Sequence, residues 1–301
     1  MNECRISCVI LNYNDASTTQ KLLEHIQNFK ILNSIVVVDN HSTDGSFELL
    51  QRYANDKIYL LKSTNNGGYG AGNNVGIRYA YETLKADYIL IANPDVVFEE
   101  DCLEKLANIF QENSNVAVVS AKQSNSPDCA WKNCSTLQYI LATSLFFEVW
   151  LRIRCYPSNY FKEKILVPVF AVPGSLLMVD AAKMIQYGNY DEEFFLYYEE
   201  PVLAQKFAEA GFLTILRLDT SYVHNHHVSI SKTYHRWSQQ HAILLKSAML
   251  FLRKYKKANV IEMAFAKLWF AYTKFEFFLY DLYCGLKHYS KKKQTKNAIN
   301  K

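Results

Sequence analysis

Four polar clusters in this 301-residue chain have side chains able to do chemistry, and three of them follow apolar runs. Asn12 ends "ISCVILN", Asp39-Asn40 ends "IVVVDN", and Asn93-Pro94-Asp95 ends "YILIANPD". Any one of these is an ordinary turn or cap: "DNHSTDGS" reads as a turn followed by a helix start, with Ser42 or Asp44 satisfying free amides. In an open α/β sheet, however, ligands sit at the carboxyl ends of the strands, and here three such ends in succession are polar. The fourth cluster, Glu199-Glu200-Pro201, suits the first turn of a helix, where proline and carboxylates are favoured, and it also offers a pair of carboxylates.

The glycine-rich "NNGGYGAGNNVGI" at 65–77 narrows the ligand class. Its glycines at 68, 70 and 72 are followed by Asn73, so G-x-G-x-x-G is not met, and the segment follows the third strand rather than the first. A dinucleotide-dependent dehydrogenase is disfavoured. Backbone close to a ligand at the start of a helix still suits an anion, which points to a nucleotide bound without that fingerprint. The histidines of "YVHNHHVSISK" (224, 226 and 227) lack a cysteine or carboxylate at zinc-site spacing, so a zinc site is disfavoured as well.

The elements that must position these groups have an α/β rhythm. Apolar runs at 6–11, 35–38, 58–61, 88–92 and 116–120 alternate with segments of helical period at 18–29, 46–55 and 100–112. The pattern predicts a mostly parallel sheet with crossover helices. "VFAVPGSLLMVD" at 169–180 reads as strands broken at Pro173-Gly174, and "FLTILRL" as a strand before the histidines. Segment 121–165 mixes aromatic, basic and apolar residues without a clean period.

Composition limits the class of protein. Half the residues are hydrophobic, which calls for a packed core. Seven cysteines without a C-x-x-C pair suit reduced thiols in a cytoplasm rather than a disulfide framework. Neither a signal peptide nor a membrane-spanning run is expected.

The segments "VILNYN", "VVVDNHSTDGS", "NNGGYGAGNNVGI" and "NPDV", in this order, resemble the family 2 glycosyltransferases with the GT-A fold, particularly the bacterial rhamnosyltransferase-like group that builds surface polysaccharides. The resemblance covers roughly residues 5–230. It implies a GT-A (nucleotide-diphospho-sugar transferase) fold over 1–235, with a nucleotide-sugar-binding half at 1–120 and an acceptor and catalytic-base half at 121–235. A helical, basic extension at 236–301 follows. Leu11, Asn12 and Tyr13 would flank the base, and Asp39 would accept from the pyrimidine ring. Asn66, Gly68 and Asn73 would close over base and ribose. Asn93-Pro94-Asp95 stands where the family has D-x-D, so Asp95 would bind Mg²⁺ or Mn²⁺ bridging the donor diphosphate, with Asn93 removing one charge.

"FFLYYEEPVL" is similar to the family's "FFLYGEDxDL". That likeness implies Glu200 as catalytic base and Glu199 as the neighbour that orients it or meets the acceptor, with Val202 in place of the second Asp. His224, five residues before Ser229, resembles the family's H-x-x-G-x-S and would complete the metal site. The implied function is an inverting transfer from a nucleotide diphosphate sugar to a lipid-linked or glycan acceptor. A glutamate at its ordinary pKa, about 4.3, is ionised at neutral pH and can take the acceptor proton. The competing reading is a nucleotide-sugar-binding partner without turnover.

From Glu262 to Leu286 a helix is expected whose charges, Lys267, Lys274 and Asp281, form one narrow stripe in an otherwise apolar surface. Either it packs on the catalytic domain or a second subunit, or it lies in a membrane interface on the cytoplasmic face. The basic "KKKQTK" after it lacks a nucleic-acid-binding fold, so no specific nucleic acid is expected.

Overall fold

The computed structural model describes residues 4–126, 130–225 and 236–299. Two compact units divide the chain: residues 1–133 with 155–229, and residues 134–154 with 230–301. The predicted boundary at 235 lies outside the described residues.

In the first unit the strands are β1 (Ile6–Asn12), β2 (Ser34–Asp39), β3 (Ile58–Lys62), β4 (Tyr88–Ala92), β5 (Val96–Val97), β6 (Val116–Gln123), β7 (Leu166–Val169), β8 (Leu176–Asp180) and β9 (Leu213–His224). They hydrogen-bond in the order β3-β2-β1-β4-β8-β6-β9-β5, with β7 beside β9. β1 to β4 run parallel, as the α/β rhythm predicted. β8 runs antiparallel to both β4 and β6.

The crossover helices are α1 (Ala16–Ile26), α2 (Ser46–Leu50), α3 (Tyr69–Glu82) and α4 (Glu100–Glu112). Helices on both faces explain why β2, "SIVVVD", is buried at all six positions instead of alternating. On one face of the sheet Leu22, Leu23 and Ile26 of α1 and Leu103, Leu106 and Phe110 of α4 lie in one buried cluster. The other packs Ile77 and Ala80 of α3 against Val9, Val36 and Val38. Each of the Val, Leu, Ile and Phe side chains contributes about 1.5–3 kcal/mol on burial. The parallel sheet thus holds the ends of β1, β2 and β4 rigidly on one rim.

The second unit contains α5 (Thr136–Leu141), α7 (Trp237–Lys254) and α8 (Val260–Ile299), with one π-helical turn at Phe146–Trp150; α6 (Glu199–Glu209) belongs to the first unit. Its core includes Tyr139, Leu245, Phe251 and Phe270. Tyr139 meets Phe251 edge-on at 4.9 Å. Buried His241 stacks on Phe277 at 3.8 Å and bonds the Thr273 hydroxyl at 3.0 Å; burial pushes its pKa down to about 4, so it is neutral at pH 7. Asp281 corrects the predicted charge stripe: its carboxylate accepts from the amides of Trp237 and Ser238 and caps α7. No helix among the described residues is long and apolar enough to cross a membrane.

Candidate active site

The rim begins with Asn12 and Asp39, which are register partners at the ends of β1 and β2. Asn12 is fully buried and satisfied: its amide nitrogen donates to Asp39 (2.9 Å) and to Ser42 Oγ (3.2 Å), and its carbonyl oxygen accepts from Thr19. Asp39 is 0% exposed, and its second oxygen accepts from the Ser42 amide at 2.9 Å. This pair braces the two strand ends together. The next residue, Asn40, donates from Nδ2 to Asn66 Oδ1 (2.9 Å) and to the Gly68 carbonyl (3.1 Å). Its own Oδ1 is buried without a hydrogen-bond partner, as is the neighbouring Ser63 Oγ. Orphaned buried polar atoms are uncommon and costly, and two at one strand-end rim are what a bound polar ligand would satisfy. Sequence reasoning placed Asn40 at a polar strand end but gave it no role of its own beside Asp39, and it passed over Ser63, because an isolated serine gave no signal.

Gly68 makes the glycine loop possible. Its φ of +91° lies in the left-handed region, and a Cβ there would fall 2.0 Å from the Phe195 carbonyl oxygen. Tyr69 starts α3 and donates its amide to that same Phe195 carbonyl at 3.0 Å. Asn73, also predicted to meet the ligand, is buried and donates to the Tyr69 carbonyl. Leu11, Tyr13, Asn66 and Asn93 remain half-buried on the rim.

The loop from 190 to 198 carries the second chemical group. Asn74 of α3 holds it, accepting from the Tyr190 amide and donating to the Tyr190 carbonyl and to Glu192. Tyr197 and Tyr198 both have left-handed backbones, at φ 69° and 71°, and this reversal delivers the chain into α6. Such conformations cost about 1–3 kcal/mol each and persist only where surroundings enforce them. Glu199 and Glu200 are the first two residues of α6 and end in different environments. Glu199 is 6% exposed with one unpartnered oxygen; burial, and then the charge of Glu200, pushes its carboxyl up to about 8. Burial therefore favours its protonated form. Glu200 is half-buried and accepts from the Gly174 amide at 3.3 Å, while Tyr69 donates to the Gly174 carbonyl at 2.7 Å.

Asp95 and His224 come together from distant parts of the sequence. β5 pairs antiparallel with the end of β9, Val96 opposite His224, and the Asn225 amide donates to the Asp95 carbonyl. The His224 Nε2 lies 3.1 Å from Asp95 Oδ1. Among the described residues no three His, Cys, Asp or Glu side chains converge into a metal cage. One carboxylate and one imidazole fit a divalent ion that takes its remaining ligands from a diphosphate and water, as Mg²⁺ and Mn²⁺ do. His226, His227 and Ser229 lie outside the described residues.

The sequence matches the family described as Glycosyl transferase family 2 over residues 7–185, which span β1 through β8 and so carry the polar rim. The chain belongs to glycosyl transferase family 2. It is similar to the low-salt glycan biosynthesis hexosyltransferase Agl10 of Haloferax volcanii, with 32% identity over 195 residues that cover 65% of this chain and 59% of that protein. It is also similar to the N-acetylglucosaminyl-diphospho-decaprenol L-rhamnosyltransferase of Mycobacterium tuberculosis, with 25% identity over 60% of this chain and 63% of that one. The chain thus spans about six-tenths of the length of these curated relatives.

Two solved structures share the fold. One is S. aureus TarS 1-349 in complex with UDP-GlcNAc, at TM-score 0.54 and 14% identity over 89% of this chain and 71% of that one. The other is the mannosyltransferase PcManGT from Pyrobaculum calidifontis in complex with GDP-Man and Mn²⁺, at TM-score 0.54 and 18% identity over 87% and 73%. This family 2 member therefore has the expected GT-A fold.

Proposed function

We propose that the protein is an inverting hexosyltransferase that moves a sugar, rhamnose or another hexose, from a nucleotide diphosphate sugar to a lipid-linked or glycan acceptor in surface polysaccharide synthesis. The observation that carries this reading is the unequal carboxyl pair at the start of α6. Burial raises the Glu199 pKa, whereas Glu200 is half-buried and receives the Gly174 amide, so Glu200 is the member of the pair placed to act as base. Inverting transfer needs one base, not two: the acceptor oxygen attacks the anomeric carbon, the bond to the nucleoside diphosphate breaks, and the acceptor proton passes to Glu200. Glu199 in its protonated form positions Glu200 without repelling the departing diphosphate.

The donor half, residues 1–120, would hold the nucleotide at the ends of β1, β2 and β4. Leu11 and Tyr13 flank the base, Asp39 braces the strand ends, and the Asn40 carbonyl oxygen is the acceptor offered to the ring. Asn66, Gly68 and Asn73 shape the loop over the ribose, and Asn93 borders the diphosphate. Asp95 and His224 would hold Mg²⁺ or Mn²⁺, which when bound neutralises charge on the leaving diphosphate. The half with the base, residues 121–235, would receive the acceptor. Free thiols at the six described cysteines suit a reducing cytoplasm, and a lipid-linked acceptor would put the work at the cytoplasmic face of the cell membrane.

The test is Glu200→Ala. Transfer should fall by about 10²–10⁴-fold while binding of the nucleoside diphosphate is retained. Unchanged transfer would remove Glu200 from the mechanism.

A further inference from the structure

In the helical unit, each acidic residue of α8 is engaged within the unit, Glu276 and Asp281 by neighbouring segments and Glu262 at the helix's own start. Glu276 accepts from the Ser144 hydroxyl and the Leu145 amide, Asp281 caps α7, and Glu262 accepts from the Asn259 amide. Between Ile261 and Leu282 one exposed stripe of the helix carries no charged side chain. Ile261, Leu268, Tyr272, Phe275, Leu279 and Leu282 follow one another at intervals of three, four or seven residues, and each is 47–81% exposed. At 1.5 Å per residue the stripe is about 32 Å long. It broadens sideways, because the Trp269 ring touches Tyr272 at 5.1 Å and Phe147 at 5.6 Å. Phe147 belongs to the turn on which Trp150 is 79% exposed. An apolar surface this long marks a contact site.

Charge decides what covers it. Residues 134–154 and 230–301 contain 17 Lys and Arg against 4 Asp and Glu, whereas the rest of the chain contains 16 against 25. Lys267 and Lys274 stand exposed at the flank of the stripe. A second copy of this unit would bring two strongly cationic bodies together. Anionic lipid supplies the opposite charge, and aromatic residues bordered by lysines suit the headgroup boundary.

We propose that the outer face of α8, with the 146–150 turn beside it, docks on an anionic membrane surface. This rests on the reading of an acceptor presented at a membrane, and names the surface that would reach it.

The test is flotation of the full chain with phosphatidylcholine vesicles, with and without phosphatidylglycerol. The protein should bind the anionic vesicles and release as salt rises. The double variant Leu268→Glu/Phe275→Glu, altered only at exposed positions, should keep its melting temperature and lose about tenfold or more of its vesicle partitioning. Lys291→Gln/Lys292→Gln/Lys293→Gln should lose the salt-sensitive part. Absence of binding, or equal binding by wild type and both variants, would overturn the proposal. So would a solution dimer dissolved by Leu268→Glu/Phe275→Glu with no vesicle binding, which would make the occupant a second copy. Stabilisation by UDP, dTDP or GDP, read on the same samples, keeps the two readings apart: absence of a shift with all three while flotation is intact counts against the donor site alone.

Discussion

Tyr69 and Glu200 meet through a single residue: the Tyr69 hydroxyl donates to the Gly174 carbonyl at 2.7 Å, and the Gly174 amide donates to Glu200 Oε1 at 3.3 Å. Tyr69 begins the helix behind the glycine loop, and Glu200 begins the helix that carries the base. The geometry leaves no slack, since a Cβ on Gly174 would lie 3.1 Å from Glu200 Oε1 and 3.4 Å from the Tyr69 hydroxyl.

Tyr69→Phe should therefore act on turnover more than on donor affinity. Loss of one hydrogen bond of about 1 kcal/mol predicts a fall in kcat of roughly fivefold, with the donor KM within about twofold. Steady-state kinetics at varied donor concentration separates the two; a change in KM alone would make Tyr69 a donor-binding residue.

Glu199 should make stability depend on pH. Its carboxyl ionises near 4.5 in an unfolded chain and at about 8 in the fold. The folded state thus holds a proton that the unfolded state has released, so the contribution is complete below about 4.5 and is lost as pH rises through about 8. Glu199→Gln removes this dependence. Thermal melts across that window should show the wild type declining more steeply and the variant more stable at the alkaline end.

Gly68→Ala should damage the donor loop. The left-handed backbone and the 2.0 Å approach to the Phe195 carbonyl together predict a loss of about 1–3 kcal/mol or more, and weaker nucleotide binding. Melting with and without UDP checks both effects.

Asp95→Asn should abolish metal-dependent stabilisation. A nucleoside diphosphate at about 100 times its dissociation constant stabilises by roughly 2.7 kcal/mol, easily seen as a thermal shift. With Mn²⁺ present the wild type should show this shift with one of UDP, dTDP or GDP, and the variant should lose it. An undiminished shift would place the metal elsewhere.

The central sheet was legible because "IVVVD" and "YILIA" are continuous β-branched and aliphatic runs, the mark of strands covered on both faces. The polar rim followed from it, since residues after such runs must stand at strand ends. Two things were not legible. Which of Asp39 and Asn40 is braced and which is open depends on Asn12 and Ser42, contacts set by strand pairing rather than by local sequence. The partnership of 134–154 with the C-terminal helices is equally non-local: Glu276 reaches Ser144 across 132 positions. Asp281 read as part of a surface stripe because periodicity gives a residue's angle on a helix but not the free amides of a neighbouring helix end.

The pairing of β5 with β9 has a consequence for how this site can diverge. Asp95 and His224 are neighbours because Val96 stands opposite His224 in an antiparallel ladder, and side chains along a strand alternate between faces. One residue added or removed within that ladder would turn one of the two side chains to the other face. Point substitutions around it leave the alignment untouched. Lineages descended from this chain are thus free to exchange residues beside the pair, but length changes are tolerated only outside the ladder.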